Sequence, residues 1–176
     1  MPPVATEAQI ATYETAPARL TMVLEGLNDT QMRSSSFFVY APLSMAEKLK
    51  DYKPGEEAWS IHYIVIHLAD AELVGSWRLR KMLAEAPATL QNYDEAGWAR
   101  QLQYGEQRRD HALSLFTLLR TTNAALFRLL PAEAWEYTAH HETRGEISLY
   151  DLFLSLLNHV DEHIQQIERL KQHLIT

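Results

Sequence analysis

Apolar residues recur at intervals of three and four along much of the chain, which is the spacing of amphipathic α-helices. Glycine and proline are sparse, with 6 and 7 residues, and this favours long regular elements over a loop-rich β fold. The periodic stretches cover about residues 7–28, 61–85, 106–130 and 149–173. The pattern predicts an all-α protein, a four-helix bundle with a long connection between its first and second helices.

Local sequence signals indicate where these helices begin and how they pack. Thr6 followed by Gln9 is a capping box at the start of the first helix, and Ser60 and Ser148 are N-cap residues for the second and fourth. Pro17 lies inside the first helix, so we expect a kink there. In the third helix we expect the core-facing positions to include Leu115, Leu118, Ala125 and Leu129.

The fourth helix carries the most regular apolar stripe, and polar residues interrupt it. Burying a polar side chain without a partner costs about 1–3 kcal/mol, so two histidines and a glutamine in this stripe need an explanation. A metal ion is one solution, because two histidines four residues apart project to the same side of a helix. Hydrogen bonding to neighbours or to water is the commoner explanation for such a pair alone. The stripe consists of Leu149, Leu152, Leu156, His159, His163, Gln166 and Leu170.

A third histidine makes the metal interpretation stronger. His67 lies in the second helix, where Ile64, Ala71 and Val74 place it on an apolar face. A bundle can bring inward positions of two helices together, and three imidazoles with one open position form a familiar catalytic metal geometry. The alternative is a bundle without metal, whose histidines are satisfied within the core.

Other polar residues are candidates for supporting roles. A metal-bound histidine usually donates its second ring N–H to a carboxylate or carbonyl, and the candidates one turn away are Asp70, Glu162 and Gln166. His62 faces away from His67. The remaining histidines of interest are His111, near the core-facing side of the third helix, and His140 and His141, in a loop between helices.

Composition limits the classes of function. The 176 residues suffice for a single domain, residues 1–176, and 47% are hydrophobic. A net charge of −7 without a long basic cluster argues against nucleic acid as a partner. The absence of cysteine excludes a thiol nucleophile and a cysteine-based zinc site. Neither a signal peptide nor a membrane-spanning run is visible, so we expect a cytoplasmic protein that does not enter a membrane.

Two sequence blocks combine the residues discussed above. The first reads W-S and then H-L-x-D-x-E between Trp59 and Glu72, and the second reads H-x-x-x-H-x-x-Q-I from His159 to Ile167. Together they resemble the DinB/YfiT-like superfamily of metal-dependent proteins. The resemblance implies a four-helix bundle with one divalent metal, zinc or nickel, held by His67, His159 and His163. It also implies a homodimer and, for some relatives, use of a low-molecular-weight thiol.

The leading functional hypothesis is a metal-dependent transferase of the thiol S-transferase type, or a hydrolase, acting on a small molecule. The alternative is a non-catalytic metal-binding module with a stress-response or scaffold role. For an enzyme, we expect substrate contacts from the segment Ser34–Lys53, from Trp59 and from the loop around His140 to Arg144. A short helix at Ser44 to Leu49 is expected within that segment.

Overall fold

Four long helices form the bundle in the computed structural model, which describes residues 3–34, 59–85 and 87–175. The predicted all-α four-helix bundle is confirmed. The long helices are α1 (Glu7–Leu24), α3 (Ile61–Ala84), α5 (Arg109–Leu129) and α6 (Leu149–Ile175). Shorter elements are α2 (Asp29–Arg33), α4 (Glu95–Gln101) and the 3-10 helices Tyr104–Glu106 and Ala132–Glu136.

The starts of α1 and α3 agree with the sequence signals, whereas α5 begins at Arg109, three residues after the predicted start. Gln9 N donates to Thr6 Oγ1 over 3.2 Å and Thr6 N donates to Gln9 Oε1 over 2.9 Å, which completes the capping box of α1. Tyr63 N donates to Ser60 Oγ at the start of α3. The predicted end of the first helix near residue 28 is wrong by four residues, because Gly26 adopts a positive φ of 80° that an α-helix does not continue through.

A small three-stranded sheet was not predicted. The strands are β1 (Ala88–Leu90), β2 (Thr138–His141) and β3 (Gly145–Ser148), with β2 in the centre, parallel to β1 and antiparallel to β3. His140 and His141, which were expected in a loop, therefore lie in β2, with His140 exposed and His141 buried. Strands of three and four residues are too short to show a clear alternation in sequence.

The core-facing side assigned to α5 was also wrong. Leu115, Leu118 and Leu129 are 37%, 62% and 79% exposed. The side that packs into the bundle instead carries Ala112, Phe116, Arg120, Asn123, Ala124 and Phe127. Because Arg120 and Asn123 on this side are polar, the sequence pattern assigned the side to solvent.

These polar residues belong to a buried network that joins α1, α3 and α5. Arg120 Nε lies 2.7 Å from Glu72 Oε2, and both side chains are 1% exposed. Glu72 Oε1 accepts hydrogen bonds from Tyr13 Oη and from Asn123 Nδ2. Each charge thus has its counter-charge and further hydrogen bonds, which a buried ion pair needs to be tolerated.

Pro17 is accommodated within α1 by the same network. A proline has no N–H, so the carbonyl four residues earlier, that of Tyr13, loses its helical donor. Arg120 NH1 lies 3.3 Å from that oxygen and donates to it. Arg120 NH2 also donates to the Leu156 carbonyl of α6 over 2.7 Å. A single arginine therefore contacts the backbones of two neighbouring helices.

Close packing brings α3 and α6 together near the histidines that were predicted to bind metal. A Cβ built on Gly75 would lie 2.4 Å from Leu156 Cδ2, so the absence of a side chain at this position permits the approach. Gly75 lies two helical turns after His67, and Leu156 lies three residues before His159. This contact therefore sets the separation of the two helices near these histidines.

Two further expectations can be compared only with the residues that the structure describes. In the part of the chain that is described, none of the helices is long and apolar enough to cross a membrane. The short helix expected at Ser44 to Leu49 lies outside the described residues, as does most of the segment Ser34–Lys53.

Candidate metal centre

Three histidines from two helices converge at one point of the bundle. His67 comes from α3, and His159 and His163 come from successive turns of α6. His159 Nε2 lies 3.2 Å from His67 Nε2 and 3.0 Å from His163 Nε2. One nitrogen from each ring lies within 4.8 Å of the other two, and among the described residues this is the cluster suited to a metal ion. His67 is fully buried, whereas the other two are half-buried.

Gln166 fixes the orientation and the tautomer of His163. Its Oε1 lies 2.8 Å from His163 Nδ1 and accepts the N–H of that nitrogen. In a neutral ring the proton on Nδ1 leaves a lone pair on Nε2, the atom that points to the other histidines. Of the three residues proposed from sequence to support the ligands, Gln166 is the one placed where that role requires.

Asp70 and Glu162 do not take the role expected of them. Asp70 accepts a hydrogen bond from Tyr104 Oη over 2.6 Å, and burial raises the pKa of its carboxyl. His67 Nδ1 has no hydrogen-bond partner among the described residues. Glu162 is exposed, and the hydrogen bonds of the described residues do not join it to the histidine cluster. A position one helical turn away therefore did not predict which residues hydrogen-bond to His67 and His159.

Burial keeps the three rings in the form that binds metal. Desolvation lowers the pKa of His67 to about 3, with a smaller contribution from the neighbouring His163. Desolvation and the two other histidines hold the pKa of His159 well below its usual range. The pKa of His163 is also lowered by burial, against the opposing effect of its hydrogen bond to Gln166. All three are therefore neutral at pH 7, with nitrogen lone pairs available.

The donor set fits a transition metal ion. Two nitrogens bound to one zinc ion at about 2.05 Å in tetrahedral geometry lie about 3.3 Å apart, close to the two Nε2 separations here. The three Nε2 atoms face one another, and the one of His163 carries no proton. Whichever of the other two Nε2 atoms carries a proton, at least one of the three lacks a hydrogen-bond partner within the cluster. A cation among them does satisfy them. Three neutral imidazoles suit zinc, nickel, cobalt or copper better than magnesium or calcium.

Aromatic packing limits the access of water to one side of the cluster. The Trp59 ring lies against His67 with their centroids 4.7 Å apart and their planes inclined by 59°. Trp59 was expected to contact a substrate, and its half-buried position beside His67 places it next to the centre. A desolvated wall of this kind strengthens electrostatic interactions inside the site.

His62 and His111 do not belong to the cluster. His62, predicted to face elsewhere, is buried between Tyr104, whose carbonyl lies 2.7 Å from Nε2, and Arg109, whose NH1 lies 2.8 Å from Nδ1. His111 was expected near the core-facing side of the third helix. That expectation was wrong, because the inward side of α5 is a different one and His111 is exposed.

An open cleft has His159, one of the three histidines, in its lining. It has a volume of about 570 Å³ and lies between α6 and the β2–β3 hairpin. Its lining includes Arg144, Glu146, Ser155, Asn158, His159 and Glu162. The sequence interpretation named Arg144 but missed Ser155 and Asn158. Both lie within one turn of His159 on α6, and a helical projection of that neighbourhood could have identified them.

Known proteins with similar sequences bear names that mention metal dependence. The chain is 24% identical over 166 residues to the Bacillus subtilis protein named "Putative metal-dependent hydrolase YfiT", a match that covers 94% of this chain and 83% of that protein. A Bacillus licheniformis protein whose name also begins "Putative metal-dependent hydrolase" is 28% identical over 118 residues, and the match covers 66% of each chain.

The fold has a solved counterpart. The structure of YfiT from Bacillus subtilis, described as a probable metal-dependent hydrolase with an unusual four-helix bundle topology, matches with a TM-score of 0.80. The match covers 99% of this chain and 93% of that chain at 21% sequence identity, which establishes the fold. The sequence model of the DinB superfamily matches residues 12–167. The chain therefore belongs to the DinB superfamily.

Proposed function

We propose that this protein is a metal-dependent enzyme that uses a divalent transition metal, zinc or nickel, held by His67, His159 and His163. The observation that carries the proposal is the convergence of three neutral imidazole nitrogens beside an open cleft. A site closed by protein ligands is typically structural, whereas a site with a position open to solvent is typically catalytic. The cleft on the His159 side therefore favours catalysis over a purely structural metal.

The reaction is a hydrolysis or a transfer of a low-molecular-weight thiol to a small electrophile. When bound, the metal ion supplies Lewis acidity and lowers the pKa of a water or thiol in its open position. The protein contributes the remaining functions. Gln166 holds the ring of His163 in place, Trp59 covers one side of the centre, and the cleft admits the substrate. The chain lacks cysteine, so a transferred sulfur has to come from outside the protein.

A screen with two classes of substrate tests this proposal. The zinc-loaded and nickel-loaded proteins are assayed for hydrolysis of chromogenic esters and amides, and for conjugation of monochlorobimane with small thiols. We expect turnover in one class that is lost on chelation and in His159→Ala. His111→Ala is the matched control, because this exposed histidine lies outside the cluster, and it should retain full activity.

The alternative is a metal-binding module without catalytic activity. Equal rates for the loaded protein, the metal-free protein and His159→Ala across both classes would contradict the enzymatic proposal. In that case a stoichiometric metal would favour the non-catalytic role in stress response or as a scaffold. Absence of any metal uptake would contradict both.

A further inference from the structure

The cleft beside His159 is lined on one side by a single face of α6. Ser155 and His159 are four residues apart, and Glu162 follows three residues later, so all three project in the same direction. The opposite side comes from the β2–β3 hairpin, including Arg144 and Glu146. The cleft thus has both His159 of the cluster and a charged residue of the hairpin, Arg144, in its lining.

Among the described residues, no carboxylate oxygen lies within 4.0 Å of a guanidinium nitrogen of Arg144, so this positive charge has no ion-pair partner there. Its NH1 lies 3.3 Å from Ser155 Oγ, which holds the side chain along the cleft. Asp151 on α6, whose carboxyl pKa is lowered chiefly by its hydrogen bonds from Ser148 and in smaller part by the charge of Arg144, already accepts hydrogen bonds from Ser148 N and Ser148 Oγ. The guanidinium therefore has donors available for a ligand.

Helix geometry gives an approximate separation between Arg144 and the metal position, and it suits a small molecule. Ser155 precedes His159 by one helical turn, which corresponds to about 6 Å along the axis. A ligand group bound to Arg144 near Ser155 would therefore lie roughly that far from a group that reaches the ion. A guanidinium matches a carboxylate in shape and charge, because it can donate two parallel hydrogen bonds.

We propose that Arg144 binds a carboxylate of the substrate, and that the reacting end of the same molecule reaches the metal ion about one helical turn away. This inference rests on the proposed function and names its substrate class, a small carboxylate-bearing molecule. The carboxylates of Glu146, Asp151 and Glu162 also line the cleft, so a preference for cationic molecules is the rival expectation. Arg144 and a divalent ion together would balance these three charges, and Arg144 is the cationic hydrogen-bond donor in this lining, so the group that it can hold is an anion.

Three small thiols that differ in charge test the inference. The cobalt-loaded protein is titrated with mercaptopropionate, mercaptoethanol and cysteamine, and binding is followed by the sulfur-to-cobalt charge-transfer absorption. We expect mercaptopropionate to bind roughly tenfold more tightly than mercaptoethanol, as a charge-assisted contact to arginine would produce. Cysteamine should bind no more tightly than mercaptoethanol.

Arg144→Gln identifies the residue responsible. This variant should load with the same amount of cobalt and bind mercaptopropionate and mercaptoethanol with equal affinity. Arg100→Gln is the matched control, because it removes the same charge from exposed α4, away from the cleft, and should keep the preference.

The outcomes separate this inference from the proposed function. Equal binding of the three thiols, tighter binding of cysteamine, or an unchanged preference in Arg144→Gln would overturn the carboxylate site while leaving the open metal position intact. A loaded protein that gives no charge-transfer absorption with any thiol would contradict the open position and, with it, the carboxylate site.

Discussion

At the scale of single residues, Gln166 determines which nitrogen of His163 faces the metal position. Gln166→Ala removes the acceptor of the Nδ1 proton, so we expect metal affinity to fall by about 10-fold to 100-fold, as for other residues that support metal ligands. Competition with a chromogenic chelator measures this change. Gln165→Ala is the neighbouring control, because that side chain is exposed, and it should bind metal normally. Equal affinity of both variants would contradict the role of Gln166.

His62 contributes to stability in a pH-dependent manner. Burial lowers its pKa in the folded state, and the nearby Arg33 and Arg109 lower it further, while Asp29 and the Tyr104 carbonyl oppose them. The unfolded chain takes up a proton on this residue below about pH 6.5, whereas the folded protein resists it. The contribution to the free energy of unfolding is therefore complete above that pH and decreases as the pH falls towards the folded pKa.

The variant His62→Gln isolates this effect from those of the other histidines. We expect the difference in unfolding free energy between the native protein and His62→Gln to shrink between about pH 6.5 and pH 5. Urea denaturation at each pH measures it. If the unfolding free energies of the native protein and of His62→Gln changed in parallel over this pH range, His62 would have the same pKa in the folded and unfolded states.

At the scale of helices, the Glu72–Arg120 pair holds α3 and α5 together. Glu72→Gln leaves the guanidinium of Arg120 buried without a counter-charge, and we expect a loss of about 3–5 kcal/mol of stability. The double variant Glu72→Gln with Arg120→Met removes both charges and should be more stable than the single variant. Chemical denaturation measures both, and a single variant as stable as the native protein would contradict the account.

Sequence periodicity predicted the elements better than their packing. The stripe of α6 identified both of its histidines, because the other inward positions of that helix are apolar except for Gln166. It failed for α5, where Arg120 and Asn123 are inward positions that become tolerable only through Glu72 and Tyr13 on other helices. Such partners are distant in the chain, so local pattern could not reveal them. The same limit applies to Asp70, whose partner Tyr104 lies in a separate element.

At the scale of the whole molecule, the expected homodimer remains a prediction, and the outer side of α5 is the surface that suits it. The exposed residues Leu115, Leu118, Thr122, Ala125 and Leu129 recur at alternating intervals of three and four, as in the seam of a coiled coil. Large exposed apolar patches commonly mark interaction sites. A second copy of the chain presents the same seam.

A charge in this seam tests the association. We expect the native protein to sediment as a dimer and Leu118→Glu as a monomer, because a buried carboxylate without a partner is costly. Leu102→Glu is the control, since that residue is 46% exposed and lies at the end of α4. A monomeric native protein, or a dimer unaffected by Leu118→Glu, would exclude this surface.

The metal content of the purified protein tests the central claim most directly. Elemental analysis is carried out on protein prepared without an affinity tag, beside His163→Ala and His111→Ala. The account predicts about one equivalent of a transition metal in the native protein and in His111→Ala, and its loss in His163→Ala. Native protein that contains no metal and takes up neither zinc nor nickel, or His163→Ala that retains the full equivalent, would contradict the three-histidine centre.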